Sequence, residues 1–378
     1  MKTKSLELIL AFALVSVVIS GFAHTWKLIN PLGYAALGMS ADGRIICAMP
    51  SFTHPIVSTN SGTTWNTQNG FGDATLDGIA LSADGSKFYA SLVTNGFPRI
   101  FVSTDLGSNW TQTPFPAGVT LGSAVACSTD GTNVIVGLRN LGIYYSTNGA
   151  VDCYTSSAPA LAWSAVASSA DGSRMVASAN PGNVYFSQDL GVTWTPSDLP
   201  STNWNSVCVS RNGKWVGAVS GTNSYISSDA GVSWQTNQLA GKIIACSADG
   251  AHWLITGSQV YISNDYGSNW QTNLATTQWY GGTVSADGCE MVVTGSGQGM
   301  FLGSLTPSPQ LSIQSQNPNV TVSWLIPSTN FVLQQSTNLS KPNWTPVSIT
   351  PTLNFTNLNQ QVTVPANGSN LFFRLSAQ

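Results

Sequence analysis

Residues 261–270 read Tyr261-Ile262-Ser263-Asn264-Asp265-Tyr266-Gly267-Ser268-Asn269-Trp270, and the chain repeats this phrase with small changes. The register S-x-[DN]-x-G-x-x-W also runs from Ser58 to Trp65 with Asn60 in the acid position, from Ser103 to Trp110, from Ser187 to Trp194 and from Ser227 to Trp234. Each copy has the chemistry of a tight hairpin. Apolar or aromatic residues end a strand, and the acid (Asp105, Asp189, Asp229 or Asp265) can accept turn N–H groups. The glycine supplies a positive φ, and the Trp (Trp65, Trp110, Trp194, Trp234 or Trp270) folds back over the turn. These are structural roles. A worn copy, Ser146-Thr147-Asn148-Gly149-Ala150-Val151-Asp152-Cys153, shifts the glycine by one and puts Cys where Trp belongs, so its turn is expected to be looser.

A second motif interleaves with the first. S-A-D-G begins at Ser40, Ser82, Ser169, Ser247 and Ser285, with variants at Ser128 and Ser210, and successive copies lie 42, 46, 41, 41, 37 and 38 residues apart. Each is flanked by short apolar runs. One unit therefore reads as strand, S-A-D-G turn, strand, variable loop, aromatic strand, hairpin, outer strand. Four short antiparallel strands cannot bury both faces alone, but seven such units in a circle can, and the spacing is that of β-propeller blades. The first segment, around Trp26, lacks a hairpin partner. Met300-Phe301-Leu302-Gly303 copies the aromatic strand and then stops, so the two are expected to pair and close a seven-bladed ring over residues 24–305.

Residues 1–23 carry Lys2 and Lys4, an apolar run from Leu6 to Ile19 and small residues at Gly21-Phe22-Ala23, the pattern of a signal peptide. A secreted, periplasmic or cell-surface location follows, with no membrane-length apolar segment after cleavage. Charged residues are 8% of the chain, against about 25% in ordinary domains. Without Lys2, Lys4 and Glu7 the count falls from 13 basic and 16 acidic residues to 11 and 15, a net charge of −4. With no basic stripe to neutralise phosphates, nucleic acid is excluded as a partner. Cys127, Cys208 and Cys246 occupy matching apolar strands and read as small hydrophobes rather than a disulfide framework. After a linker at 306–309, residues 310–378 alternate as strands of a small β-domain of immunoglobulin or fibronectin type.

The S-x-D-x-G-x-x-W hairpins resemble the Asp-boxes, or BNR repeats, of sialidases, sortilin-type receptors, xyloglucan-degrading glycosidases and seven-bladed photosystem II assembly factors. The resemblance covers residues 24–305. It implies the fold and leaves function open, because in those families the box is a peripheral turn. The segments Phe331 to Leu339, Asn343-Trp344-Thr345 and Phe372 to Leu375 resemble a C-terminal module of exported proteins from Verrucomicrobia-like bacteria. A sialidase would imply an F-R-I-P motif, three substrate-gripping arginines and a Tyr/Glu pair. Here Phe97-Pro98-Arg99-Ile100 only permutes that motif, and Glu290 is the single Glu after the leader.

A glycosidase needs two carboxylates about 5–9.5 Å apart. Ten of the fifteen acids beyond the leader belong to the two turn motifs, and among the rest only Asp73 and Asp77 share a loop that could face the axis. They are the candidate acids of an alternative reading as a carbohydrate-active hydrolase. His24, His54 and His252 lack metal-ligand spacing, and no cofactor is implied. The position six residues before each S-A-D-G serine is Tyr34, Trp163, Trp204 or Trp279 in four repeats, and the following position includes Asp77, Asn205, Lys242 and Tyr280. With Arg99 and Arg139 near the same loops, these residues are expected to ring the axis on the variable face. They would form aromatic platforms with polar neighbours for a glycan or protein ligand, the alternative being that the four rings pack between blades. The preferred reading is an exported non-catalytic binding or scaffold protein.

Overall fold

The structure, a computed structural model, describes residues 24–34, 36–49, 54–69, 71, 75–94, 97–113, 123–274, 278–305, 311–316, 319–325, 331–339, 342–354, 358–365 and 371–377. The expected leader, Asp73 and the expected linker at 306–309 lie outside these residues.

The chain is an all-β seven-bladed propeller followed by a small two-sheet unit. Blade 1 comprises Ala36–Met39, Ile46–Met49, Ile56–Ser58 and Asn66–Thr67, paired antiparallel in that order from axis to rim. Blades 2 to 6 repeat the arrangement over 75–112, 123–155, 163–196, 204–237 and 243–273. Blade 7 takes Trp279–Val284, Glu290–Gly295 and Gly299–Ser304, and its outer strand is Thr25–Asn30 from the other end of the chain. Trp26 faces Gly303, Lys27 faces Leu302 and Leu28 faces Phe301, so the ring closes as the unpaired ends required.

Packing follows from position within the blade. The second strand has a neighbour blade on each face, and its residues in blades 3, 4 and 5 (134–138, 175–179 and 216–220) are buried throughout. Such strands read as continuous runs of apolar and small residues rather than alternating ones. Around the axis the first strands pack side by side, including Trp279–Val284 against Ala36–Met39. At the S-A-D-G end the closure extends to the backbone. The N–H of Ala41 donates to the carbonyl of Ala83, Ala83 to Thr129, Thr129 to Ala170, Ala170 to Arg211, Arg211 to Ala248, Ala248 to Ala286 and Ala286 back to Ala41, all at 2.7–3.0 Å. The second residue of every S-A-D-G turn is thus a link in one cyclic chain of hydrogen bonds. The residue five after each Ser lies over the turn glycine of the next blade, from Ile45 over Gly85 to Glu290 over Gly43.

Both turn motifs are self-contained hydrogen-bond units. In the S-A-D-G turn the Ser247 hydroxyl donates to Asp249 at 2.6 Å and accepts the N–H of His252 at 3.0 Å. In the hairpin the Ser263 hydroxyl donates to Asp265 and accepts the Gly267 N–H, while Asp265 accepts the backbone and side-chain N–H groups of Asn269. Trp65, Trp194 and Trp270 cap their turns by donating the indole N–H to the hairpin glycine carbonyl at 2.9–3.1 Å. The third hairpin is not loose. Ala150 N–H donates to Ser146 at 2.9 Å and Asp152 N–H to Asn148 at 3.0 Å, as in the intact copies. The turn needs two successive left-handed residues, supplied elsewhere by pairs such as Leu106 and Gly107 and here by Gly149 and Ala150. The displaced glycine therefore leaves the geometry intact.

After the propeller, Ser312–Gln316, Asn319–Leu325, Asn359–Pro365 and Thr352–Asn354 form one sheet, and Thr345–Pro346, Phe331–Ser336 and Phe372–Ala377 the other. Val322, Trp324, Leu333, Val362 and Val364 fill the space between them. This unit meets the propeller at its axis. Leu358 is 6% exposed and packs among Ala83, Ala248 and Ala286 of the S-A-D-G ring, while Arg211 donates to Asn359 at 3.1 Å. All six cysteines are free thiols, and burial pushes the Cys127 thiol up to about 12.

Candidate ligand-binding face

The face opposite the S-A-D-G ring carries the loops between second and third strands and the connections from outer to inner strands. Its framework is tied blade to blade. Gly182 and Thr202 exchange N–H···O bonds at 3.0 and 2.9 Å, Asn140 N–H donates to Leu161, and Gly241 N–H donates to Ser220.

The sequence offers Tyr34, Trp163, Trp204 and Trp279 either as exposed platforms on this face or as rings packed between blades, and the structure overturns the platform reading. They are 4%, 2%, 0% and 3% exposed. Trp163 packs against Ile135 and Ile143 of blade 3, Trp204 against Val176 and Val184 of blade 4, Trp279 against Leu254 and Val260 of blade 6, and Tyr34 against Val292 and Met300 of blade 7. Each ring fills the seam with the preceding blade. The three indoles also meet an aromatic in their own third strand edge-on: Trp163 with Tyr185, Trp204 with Tyr225 and Trp279 with Phe301, at 5.1–5.8 Å. Such wide, rigid side chains suit a seam that must be filled without voids. No ligand can stack on them there.

The next residue in the strand behaves differently. The ladder register shifts immediately after the first pair in blades 4, 5 and 7 and after the second pair in blade 2, so Asp77, Ser164, Asn205 and Tyr280 are bulged residues. A bulge inserts one unpaired residue and re-aims its side chain. Asp77 is exposed, and Tyr280 is half-buried. Asn205, also half-buried, spends its amide on the Gly241 carbonyl at 2.8 Å, tying blade 5 to blade 6. Arg139 and Lys242 are exposed, and Arg99 is half-buried opposite Leu92. The face is therefore polar and carries both charge signs, with its rings withdrawn into the seams. Asp73, the companion acid of the hydrolase reading, falls outside the described residues.

The acids of the two turn motifs are occupied elsewhere. In Asp229 the Ser233 hydroxyl and N–H and the Ser227 hydroxyl hold the carboxyl down at about 2. Glu290 lies on the S-A-D-G side, where burial pushes it up to about 7 against the pull of the Ser61 hydroxyl. Among the described residues no group of three or more His, Cys, Asp or Glu side chains is arranged to hold a metal ion. No helix among them is long and apolar enough to cross a membrane.

A second concavity was not anticipated. It is a cavity of about 340 Å³ between the hairpins of blades 5 and 6, lined by Trp215, Trp234, Tyr266 and several neutral polar groups. The signal for it was present as departures from the repeat, an aromatic at two positions where equivalent residues are mostly not aromatic.

No protein-family model matches the chain, and no curated protein matches it in sequence. Among solved structures it is similar to YCF48 bound to D1 peptide, at 13% identity over 75% of this chain and 97% of that one, with a TM-score of 0.58. It is also similar to YCF48 from Cyanidioschyzon merolae, at 14% identity over 74% and 98%, again at 0.58. The likeness is one of fold: this chain shares the β-propeller of those proteins.

Proposed function

We propose that the chain is an exported, non-catalytic propeller of the Asp-box type, with residues 1–23 as its leader, that binds an extended peptide or protein segment on the face opposite the S-A-D-G ring. The observation that carries this reading is the withdrawal of all four rings from that face, which leaves Asp77, Arg139 and Lys242 exposed beside half-buried Arg99, Asn205 and Tyr280. A peptide offers backbone groups and charged side chains to such a surface, whereas a sugar would want the missing platforms. A structural neighbour described as bound to a peptide agrees with this choice. So does the opposite axial mouth, where Leu358 sits among the ring alanines.

The carboxylates support the non-catalytic part. Ten lie in turn hydrogen bonds, Asp152 accepts from Asn148 within the third hairpin, and Glu290 is on the far side. The described acids left on the binding face are Asp77 and Asp198, which belong to different blades. The test is peptide-library selection followed by affinity measurement for wild type, Lys242→Ala and Asp77→Asn, with a reducing-sugar assay on a polysaccharide panel. Selected peptides should bind wild type and lose about tenfold or more in Lys242→Ala. Sugar release by wild type that disappears in Asp77→Asn would instead establish the hydrolase reading.

A further inference from the structure

The repeats depart from one another most where blades 5 and 6 meet. The residue before the hairpin glycine is Ser61, Leu106, Leu190 or Ala230 in the other intact copies, but in blade 6 it is Tyr266, which is 46% exposed. The residue five after the S-A-D-G serine is Ile45, Lys87, Asn133, Arg174, His252 or Glu290 in the other blades, but in blade 5 it is Trp215. These two departures come from different blades and meet. The Trp215 and Tyr266 rings stack at 5.1 Å with 28° between their planes. Beside them opens the cavity of about 340 Å³, with Trp234 as a third ring. Trp234 itself differs from Trp65, Trp194 and Trp270: its indole N–H has no hydrogen-bond partner among the described residues.

The rest of the lining is neutral. Ser228, Ser268 and Gln235 offer groups that both donate and accept hydrogen bonds, and no charged side chain lines the cavity. A charged ligand would lose water there and meet no charged group in the lining, the Lys214 ammonium lying outside it at 5.8 Å from the Trp215 ring centroid. Aromatic faces beside neutral hydroxyl and amide groups instead match a molecule with C–H faces and a rim of hydroxyls. The volume lies at the low end of ligand sites, about 300–1,000 Å³, which suits a short saccharide. The site is at the propeller rim, away from the axial face considered above.

We propose that the cavity between blades 5 and 6 is a binding site for a neutral oligosaccharide stacked on the Trp215–Tyr266 pair. Cellohexaose, mannohexaose and laminarihexaose, with hexagalacturonate as the anionic counterpart, are titrated into the full chain by tryptophan fluorescence and saturation-transfer NMR. At least one neutral hexaose should bind, with saturation transfer to its ring protons. Tyr266→Phe should keep that affinity, and Tyr266→Asn should lose about tenfold or more. Asn tolerates the left-handed backbone at this position, so this variant keeps the turn. Trp215→Ala should show the same loss. Absence of binding by every neutral hexaose, binding by hexagalacturonate alone, or wild-type affinity in folded Tyr266→Asn would overturn the assignment.

Discussion

The two axial faces of this propeller are made from the same seven repeats and have opposite characters. On the S-A-D-G face every blade contributes the same turn, the backbone links run in a closed circle, and even the side chain over each turn glycine comes from the blade before it. On the other face the blades agree only in burying a ring where they have one, and the adjacent bulges present Asp77, Ser164, Asn205 and Tyr280. Uniform residues are there to close the ring. On the proposed function, residues that differ between repeats carry recognition of a partner.

Two glycines with nearly the same backbone sharpen that contrast. Gly250, on the S-A-D-G face, has φ +77°, and a Cβ there would lie 2.3 Å from the Trp215 ring; Gly297, on the other face, has φ +69° with nothing within 4 Å. Gly250→Ala should lose about 2–5 kcal/mol, combining left-handed strain with overpacking. Gly297→Ala should lose only the strain, about 1–2 kcal/mol. Urea denaturation of both would test this, and equal losses would break the contrast. Next in size is Ser263→Ala. Its buried hydroxyl serves both Asp265 and the Gly267 N–H, and removal should cost about 1–3 kcal/mol in the same experiment.

A smaller effect depends on pH. Burial raises Glu290 from 4.5 to about 7, so the folded state holds more protons than the unfolded one across that window, and its contribution to stability falls as pH rises through it. Burial, with repulsion from His252, lowers His24 from 6.5 to about 4, which gives the opposite slope between those values. The two partly cancel in the wild type. Glu290→Gln removes the first, so its stability relative to wild type should grow from pH 4.5 to 7 and then level off, as read from urea midpoints at a series of pH values. The smallest effect is that of Asp77→Asn, an exposed change on a bulge, which should alter stability by less than about 0.5 kcal/mol.

The architecture was legible because turns need particular residues at fixed offsets. Seven S-A-D-G copies, and a Trp26 segment without a partner, were enough to number the blades and close the ring. Ring burial was legible only as one of two alternatives. A Trp at the start of an inner strand has two faces to choose from, and the parity of the strand decides, but a bulge one residue later resets that parity. Trp163 pairs with Ala179 while Ala165 pairs with Ser178. Nothing in the local pattern announces the inserted residue. The third hairpin misled for a related reason, since glycine can occupy either of two left-handed positions. The Leu358 contact joins separate parts of the chain and leaves no periodic trace. The Trp215–Tyr266 pair was visible only by lining up the repeats and asking which copy broke the rule.

The division between the two faces is tested most directly by measuring stability and peptide affinity together in two variants, Ser263→Ala and Lys242→Ala. Ser263→Ala should lower the urea midpoint and leave affinity for a selected peptide unchanged, while Lys242→Ala should keep the wild-type midpoint and weaken the peptide about tenfold or more. Loss of affinity in Ser263→Ala at peptide concentrations where the protein is fully folded, with Lys242→Ala binding as wild type, would place recognition on the S-A-D-G side and contradict the account.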